Sequence, residues 1–261
     1  MADQGLVRAT ACAIVDKLNK GEVTPLELLD VLEKRIAEVD GKVNALPTLC
    51  FDRARAHAKE LMKKPAGSRG LLAGMPVPIK DLTNVAGVLT TQGSPIYKDN
   101  IPARSDILVE HLEANGGVIY AKSNTPEFGA GANTFNEVFG ATRNPWDTSR
   151  SAAGSSGGAA VALATGMAWL AHGSDMGGSL RNPASFCGIV GLRPSIGRVA
   201  HTPAAAIDRN LGVQGPMARN VRDLALLLDA MSGEHPADPL SLPLLPNSFL
   251  SAARSGNAPK R

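Results

Sequence analysis

The stretch from Ser149 to Pro194 constrains this chain more than any other. It places two glycine-and-serine turns, Gly154-Ser155-Ser156-Gly157-Gly158 and Asp175-Met176-Gly177-Gly178-Ser179, on either side of an apolar run long enough for a helix and then a short strand. Glycine-rich turns let the backbone enter positive φ and come close to a bound group, and their successive N–H groups form a nest for an anion. A hydroxyl beside such amides is what acyl transfer requires, because the nucleophile and the donors to the oxyanion must be close neighbours. One such loop reads equally well as a helix cap or a tight turn. Two in one chain shift the reading towards a site.

Around this centre the periodicities alternate between helix and strand. Ala9 to Asn19 has helical spacing, and Thr24 and Pro25 open a second helix as N-cap and first helical residue. A third helix is predicted from Asp52 to about Lys63, with a short strand before it between Asn44 and Phe51. Arg104 to Asn115 reads as an amphipathic helix stopped by Gly116, Val118 to Ala121 as a buried strand, Ser156 to Gly166 as a closely packed helix, Trp169 to His172 as a strand, and Asn220 to Ser232 as a final helix. The segment from Ser123 to Arg150 has no period and is expected to be a long irregular loop, a form usually retained for function. The pattern predicts an α/β protein. It divides into a helical scaffold over 1–70, a core over 71–232 that holds both glycine turns, and a proline- and serine-rich tail over 233–261.

Several familiar chemistries are disfavoured by the residues themselves. Ser156 formally sits in a G-x-S-x-G pattern, but that motif needs a strand immediately before it, and Asn144-Pro145-Trp146-Asp147 does not read as one. A phosphate loop would end in Gly-Lys-Ser/Thr, and no lysine follows the glycines. The five histidines, His57, His111, His172, His201 and His235, are scattered and fall in no triad or metal motif, so each reads as an ordinary surface or core residue. No metal or organic cofactor is expected. Lys80, in Pro76-Val77-Pro78-Ile79-Lys80, has flanks too apolar for a lysine that simply faces water; it is either a strand-end residue snorkelling outward or a base whose pKa is lowered by desolvation.

Twenty-seven basic and 24 acidic residues spread along 261 positions, giving a net charge of +3, argue against a nucleic-acid surface. Cys12, Cys50 and Cys187 are odd in number and widely spaced, which fits reduced thiols better than a disulfide framework; Cys187 reads as a packed core residue. No apolar run has membrane-spanning length and no leader pattern is visible at the start, so a cytoplasmic protein with no membrane partner is expected.

Gly154 to Ala160 and the segment from Gly173 to Ser195 resemble the signature of the amidase signature family, and Val77 to Leu82 resembles the segment that carries that family's lysine. The resemblance runs from about Ala9 to the end of the chain, through KSNTPEFG, FGATRNPWD and GPMARNVRDLALLLDAMSG. It implies Lys80 as base, Ser155 as a bridging serine on a cis peptide bond and Ser179 as nucleophile. It further implies an oxyanion hole from the backbone amides of Met176, Gly177, Gly178 and Ser179, with Ser156, Asp175 and Arg181 in support. The implied reaction is hydrolysis of a small carboxylic amide through an acyl-enzyme. The resemblance implies a mixed β-sheet core flanked by helices; family members usually continue well past this point, so the fold is expected to be incomplete at its C-terminus. The partner is then a second copy or a complementing C-terminal fragment. The alternatives are a protein resembling the A-type subunit of glutamyl-tRNA amidotransferase and a catalytically silent fragment.

Overall fold

The computed structural model describes residues 1–201 and 211–256. The chain opens with α1 (Gln4–Arg8) and α2 (Ala11–Lys20), each started by a side-chain cap, Asp3 for the first and Thr10 for the second. In α3 (Pro25–Val43) a full capping box forms: Thr24 Oγ1 accepts the Glu27 N–H and the Glu27 carboxylate accepts the Thr24 N–H. One face of α3 carries Leu28, Leu29, Leu32 and Ile36 into the core. The expected strand after it is only β1 (Thr48–Leu49), because Phe51 already starts α4 (Phe51–Met62).

The first sheet has the order β1-β3-β2, with β2 (Pro76–Lys80) parallel and β1 antiparallel to β3 (Val118–Ser123). Every residue of β2 and β3 is buried, the pattern of strands covered on both faces. α5 (Ile107–Ala114) supplies the crossover between them. The expected long loop carries a 3-10 turn at Glu127–Gly129 and a two-residue pairing of β4 (Phe135–Asn136) with β5 (Gly140–Ala141).

α6 (Gly157–Ala164) packs close to the first sheet, and Gly158 explains how. A Cβ there would lie 2.3 Å from Asn124 N and 2.6 Å from Ala45 O, so only glycine lets the helix start this near the neighbouring backbone. β6 (Leu170–Asp175), α7 (Arg181–Cys187) and β7 (Val190–Gly191) follow. The second sheet, β6-β8-β7, is antiparallel and centres on β8 (Val213–Ala218). Its Gly215 and Pro216 mask the strand in the sequence, yet Gly215 is required where the backbone Leu192 O would lie 2.6 Å from a Cβ. α8 (Val221–Met231) packs against β8, and α9 (Phe249–Ser255) is a short helix inside the segment read as tail. Asp229 accepts the N–H groups of Phe249 and Leu250 and fixes α9 to α8. Positions 257–261 of that tail lie outside the described residues.

The edge strands of the two sheets, β2 and β6, run beside one another. Between them a side chain stands in for a ladder bond, the Lys80 N–H donating to His172 Nδ1 at 3.2 Å.

Candidate active site

Lys80 ends β2 with its side chain fully buried. β6 alternates side chains between its faces, so His172 and Ser174 emerge on the same side, towards Lys80. The lysine therefore does not snorkel to the surface. Its Nζ lies 2.6 Å from Ser155 Oγ, 3.0 Å from Ser156 Oγ and 3.0 Å from Ser174 Oγ. Burial pushes its pKa from the ordinary 10.5 down to about 7, with the Asp175 carboxylate pulling weakly the other way.

The three hydroxyls are not equivalent. Ser156 Oγ–H donates to Ser174 O at 3.2 Å, so its proton is already placed. A neutral lysine amine has two N–H groups and one lone pair. It can donate to Ser156 and Ser174 while accepting from Ser155, whose oxygen is the nearest of the three. Ser155 also borders a cavity of about 570 Å³, whereas Ser156 is sealed at the start of α6. The peptide bond between Gly154 and Ser155 is cis.

Ser179 lies on the wall of the same cavity, with Met176 and Asp175 from its own turn. Its carbonyl accepts the Ser156 N–H at 3.2 Å, which ties the two glycine turns together across the intervening helix and strand. Of the four expected oxyanion donors, the Gly178 N–H is engaged by Asp175 Oδ1 at 2.8 Å.

Asp175 holds this turn in shape. Its carboxylate accepts the Gly178 and Leu180 N–H groups and two bonds from the Arg181 guanidinium, Nε and NH2 each at 3.0 Å. Burial opposes its charge, but the Arg181 and backbone hydrogen bonds outweigh that and hold the carboxyl well below the usual range. Arg193 NH1 adds a bond to Asp175 Oδ1 at 3.1 Å and another to its carbonyl, while NH2 donates to Leu211 O. The sequence reading missed Arg193, although a guanidinium in the apolar run Gly188 to Pro194 was the available signal.

Ser174 and His172 were also missed. His172 is a core histidine, as expected, but its position gives it a task. Because Nδ1 accepts from the Lys80 N–H, Nε2 carries the proton and donates to Gln214 Oε1 at 2.6 Å. Burial pushes its pKa down to about 3, which keeps it neutral beside Lys80. Cys187 is buried with Sγ 3.7 Å from Ala152 O, and burial pushes its thiol up to about 12, so it is no nucleophile. A wider groove of about 730 Å³ along α4 is lined by Arg53, His57 and Glu113 and carries no serine or thiol. Among the described residues no group of His, Cys, Asp and Glu is placed to hold a metal ion, and no helix is long and apolar enough to cross a membrane.

A family model described as Amidase matches residues 27–261. The chain belongs to the amidase signature family. Among its curated relatives in that family, the A subunit of glutamyl-tRNA(Gln) amidotransferase from Thermodesulfovibrio yellowstonii is 40% identical over 237 residues, 90% of this chain and 49% of the relative. Its counterpart from Bacillus velezensis is 43% identical over 237 residues, with the same shares. Among solved amidase signature structures, 6-aminohexanoate cyclic dimer hydrolase complexed with substrate superposes with a TM-score of 0.86 at 34% identity, covering 94% of this chain and 50% of that one. A bacterial aryl acylamidase gives 0.86 at 32% identity, covering 94% and 51%. The chain thus spans about half the length of the proteins it matches.

Proposed function

We propose that this chain carries the bond-breaking machinery of an amidase that hydrolyses a small carboxylic amide to the acid and ammonia or an amine. The observation that carries the reading is the 2.6 Å approach of a buried Lys80 Nζ, its pKa lowered to about 7, to Ser155 Oγ at the edge of the cavity that Ser179 borders. In this mechanism Ser179 Oγ attacks the amide carbon as its proton passes to Ser155 and the proton of Ser155 passes to Lys80. The oxyanion rests on backbone N–H groups of Met176 to Ser179, with Gly178 the least available donor because Asp175 already holds it. The C–N bond breaks as nitrogen takes the proton back through Ser155, leaving an ester on Ser179. Water then repeats the sequence and releases the acid. No metal or organic cofactor takes part.

The catalytic core in this reading is 71–232, scaffolded by 1–70. The three free thiols, Cys12, Cys50 and Cys187, support a cytoplasmic setting. The amidotransferase component named in the curated relatives is the second reading, favoured by 40–43% identity, and it would make the chain part of a complex that takes ammonia from an amide donor.

Fluorophosphonate labelling of the chain, read by intact mass and peptide mapping, tests the proposal. Label on Ser179, lost in Ser179→Ala and sharply slowed in Lys80→Ala, is expected. A folded, monodisperse sample that takes up no label overturns the proposal that this chain is active by itself. Ammonia release from glutamine but not from unrelated carboxamides favours the amidotransferase reading.

A further inference from the structure

A second lysine is buried next to the first, and it serves no step above. Lys122, fully buried at the end of β3, donates to Asp81 Oδ1 at 3.2 Å, to Thr83 O at 2.8 Å and to Thr90 Oγ1 at 2.7 Å. Asp81, the residue after Lys80, is equally buried and accepts Thr91 Oγ1–H at 2.6 Å and the Thr91 N–H at 3.2 Å. Thr91 Oγ1 in turn accepts the Gly93 N–H at 3.0 Å. Between Thr91 and Gly93 sits Gln92 at φ 54°, and its carbonyl accepts the N–H of Phe128, itself at φ 51°. Both side chains line the cavity that holds Ser155 and Ser179. Left-handed backbone at a non-glycine residue persists only where its surroundings over-determine it, and here two such residues are bonded to each other on a binding wall. A second strut, Ser94 Oγ–H to Glu127 Oε1 at 2.7 Å, joins the same two loops. An ion pair taken fully out of water is a costly choice for mere filling, since apolar residues of similar volume serve stability as well.

We propose that the Asp81–Lys122 pair, acting through Thr91, sets the shape of the substrate-facing wall formed by Gln92 and Phe128. Asp81, Lys122 and Thr91 are positioning residues for binding, not for bond breaking. That the wall faces substrate rests on the amidase reading; its mechanical dependence on the pair does not.

Breaking the pair outright leaves a buried charge, so the test uses Thr91→Val, which keeps the shape and removes both hydroxyl bonds, against Thr91→Ser, which keeps them. Amide hydrogen exchange of the chain is read at Gly93 and Phe128, with Leu28 and Leu227 as core references. Thr91→Val is expected to speed exchange at Gly93 and Phe128 about tenfold with the references unchanged, and Thr91→Ser to match the parent. In labelling of Ser179 by an aryl-bearing fluorophosphonate, Thr91→Val is expected to raise the half-saturating probe concentration about tenfold while the maximal rate and its pH midpoint stay put. Unchanged exchange at Phe128, or exchange that rises equally at Leu28 and Leu227, overturns the proposal. So does a fall in maximal rate at constant half-saturation. If the parent takes no label, the amidase reading falls and the exchange result alone decides the wall.

Discussion

The Lys80 N–H donates to Nδ1 of His172 at 3.2 Å, a bond that links the edges of two sheets at the residue on which the proposed chemistry depends. His172 passes the polarity outward to Gln214 Oε1 at 2.6 Å, and Gln214 Nε2 lies 3.2 Å from His201 Nε2 on the cavity wall. Replacing His172 by Leu orphans a buried donor. A loss of about 1–3 kcal/mol in urea unfolding is expected, together with slower labelling of Ser179 as Lys80 drifts. A variant as stable as the parent contradicts this role.

Lys80 has a pKa of about 7 in the fold against an ordinary 10.5, so between those values the unfolded chain binds the extra proton and stability rises with pH. Across that window the stability of the parent relative to Lys80→Met should climb by up to about 1.4 kcal/mol per pH unit, measured by urea titration at several pH values. The labelling rate of Ser179 should rise through the same pH of about 7, as the amine loses its proton. Parallel stability curves for parent and variant would show that Lys80 is not desolvated in solution.

Asp175 collects N–H groups from Gly178 and Leu180 on either side of Ser179, and two guanidinium groups besides. Asp175→Asn cannot accept from all of them, because one oxygen becomes an NH2 donor. The turn then shifts, and labelling of Ser179 should fall by about 10²-fold with an unchanged circular dichroism spectrum, since small misplacements at a reacting centre cost that much. Arg193→Met should produce a smaller fall in the same direction.

At Gly158 an added Cβ meets backbone atoms on two sides, Asn124 N at 2.3 Å and Ala45 O at 2.6 Å. Gly158→Ala should therefore cost about 1–3 kcal/mol or more, as α6 is pushed off the first sheet. Gly41→Ala is the control, because a Cβ in that part of α3 meets nothing within 4 Å and should stabilise the helix by up to about 1 kcal/mol. The two urea midpoints should move in opposite directions.

Local signals carried much of the fold. The helix at Pro25–Val43 announces itself through Thr24 and Pro25, and the helix at Val221–Met231 through its apolar face. What escaped were elements without a period of their own. β8 hides behind Gly215 and Pro216, and α9 behind the prolines around it. Both are held by partners elsewhere in the chain, β8 by its pairing with β6 and β7 and the first turn of α9 by Asp229.

The sequence by itself determined where the candidate residues Lys80, Ser155 and Ser179 stand along the chain, and their proposed roles come from its resemblance to the amidase signature family. Only the tertiary structure decided what surrounds them. Ser174 reaches Lys80 across 94 positions, His172 across 92, and Lys122 meets Asp81 across 41. A side chain's pKa and its hydrogen-bond role depend on burial and on which groups the packing of two sheets brings within about 3 Å, and neither quantity is a property of neighbouring residues in the chain.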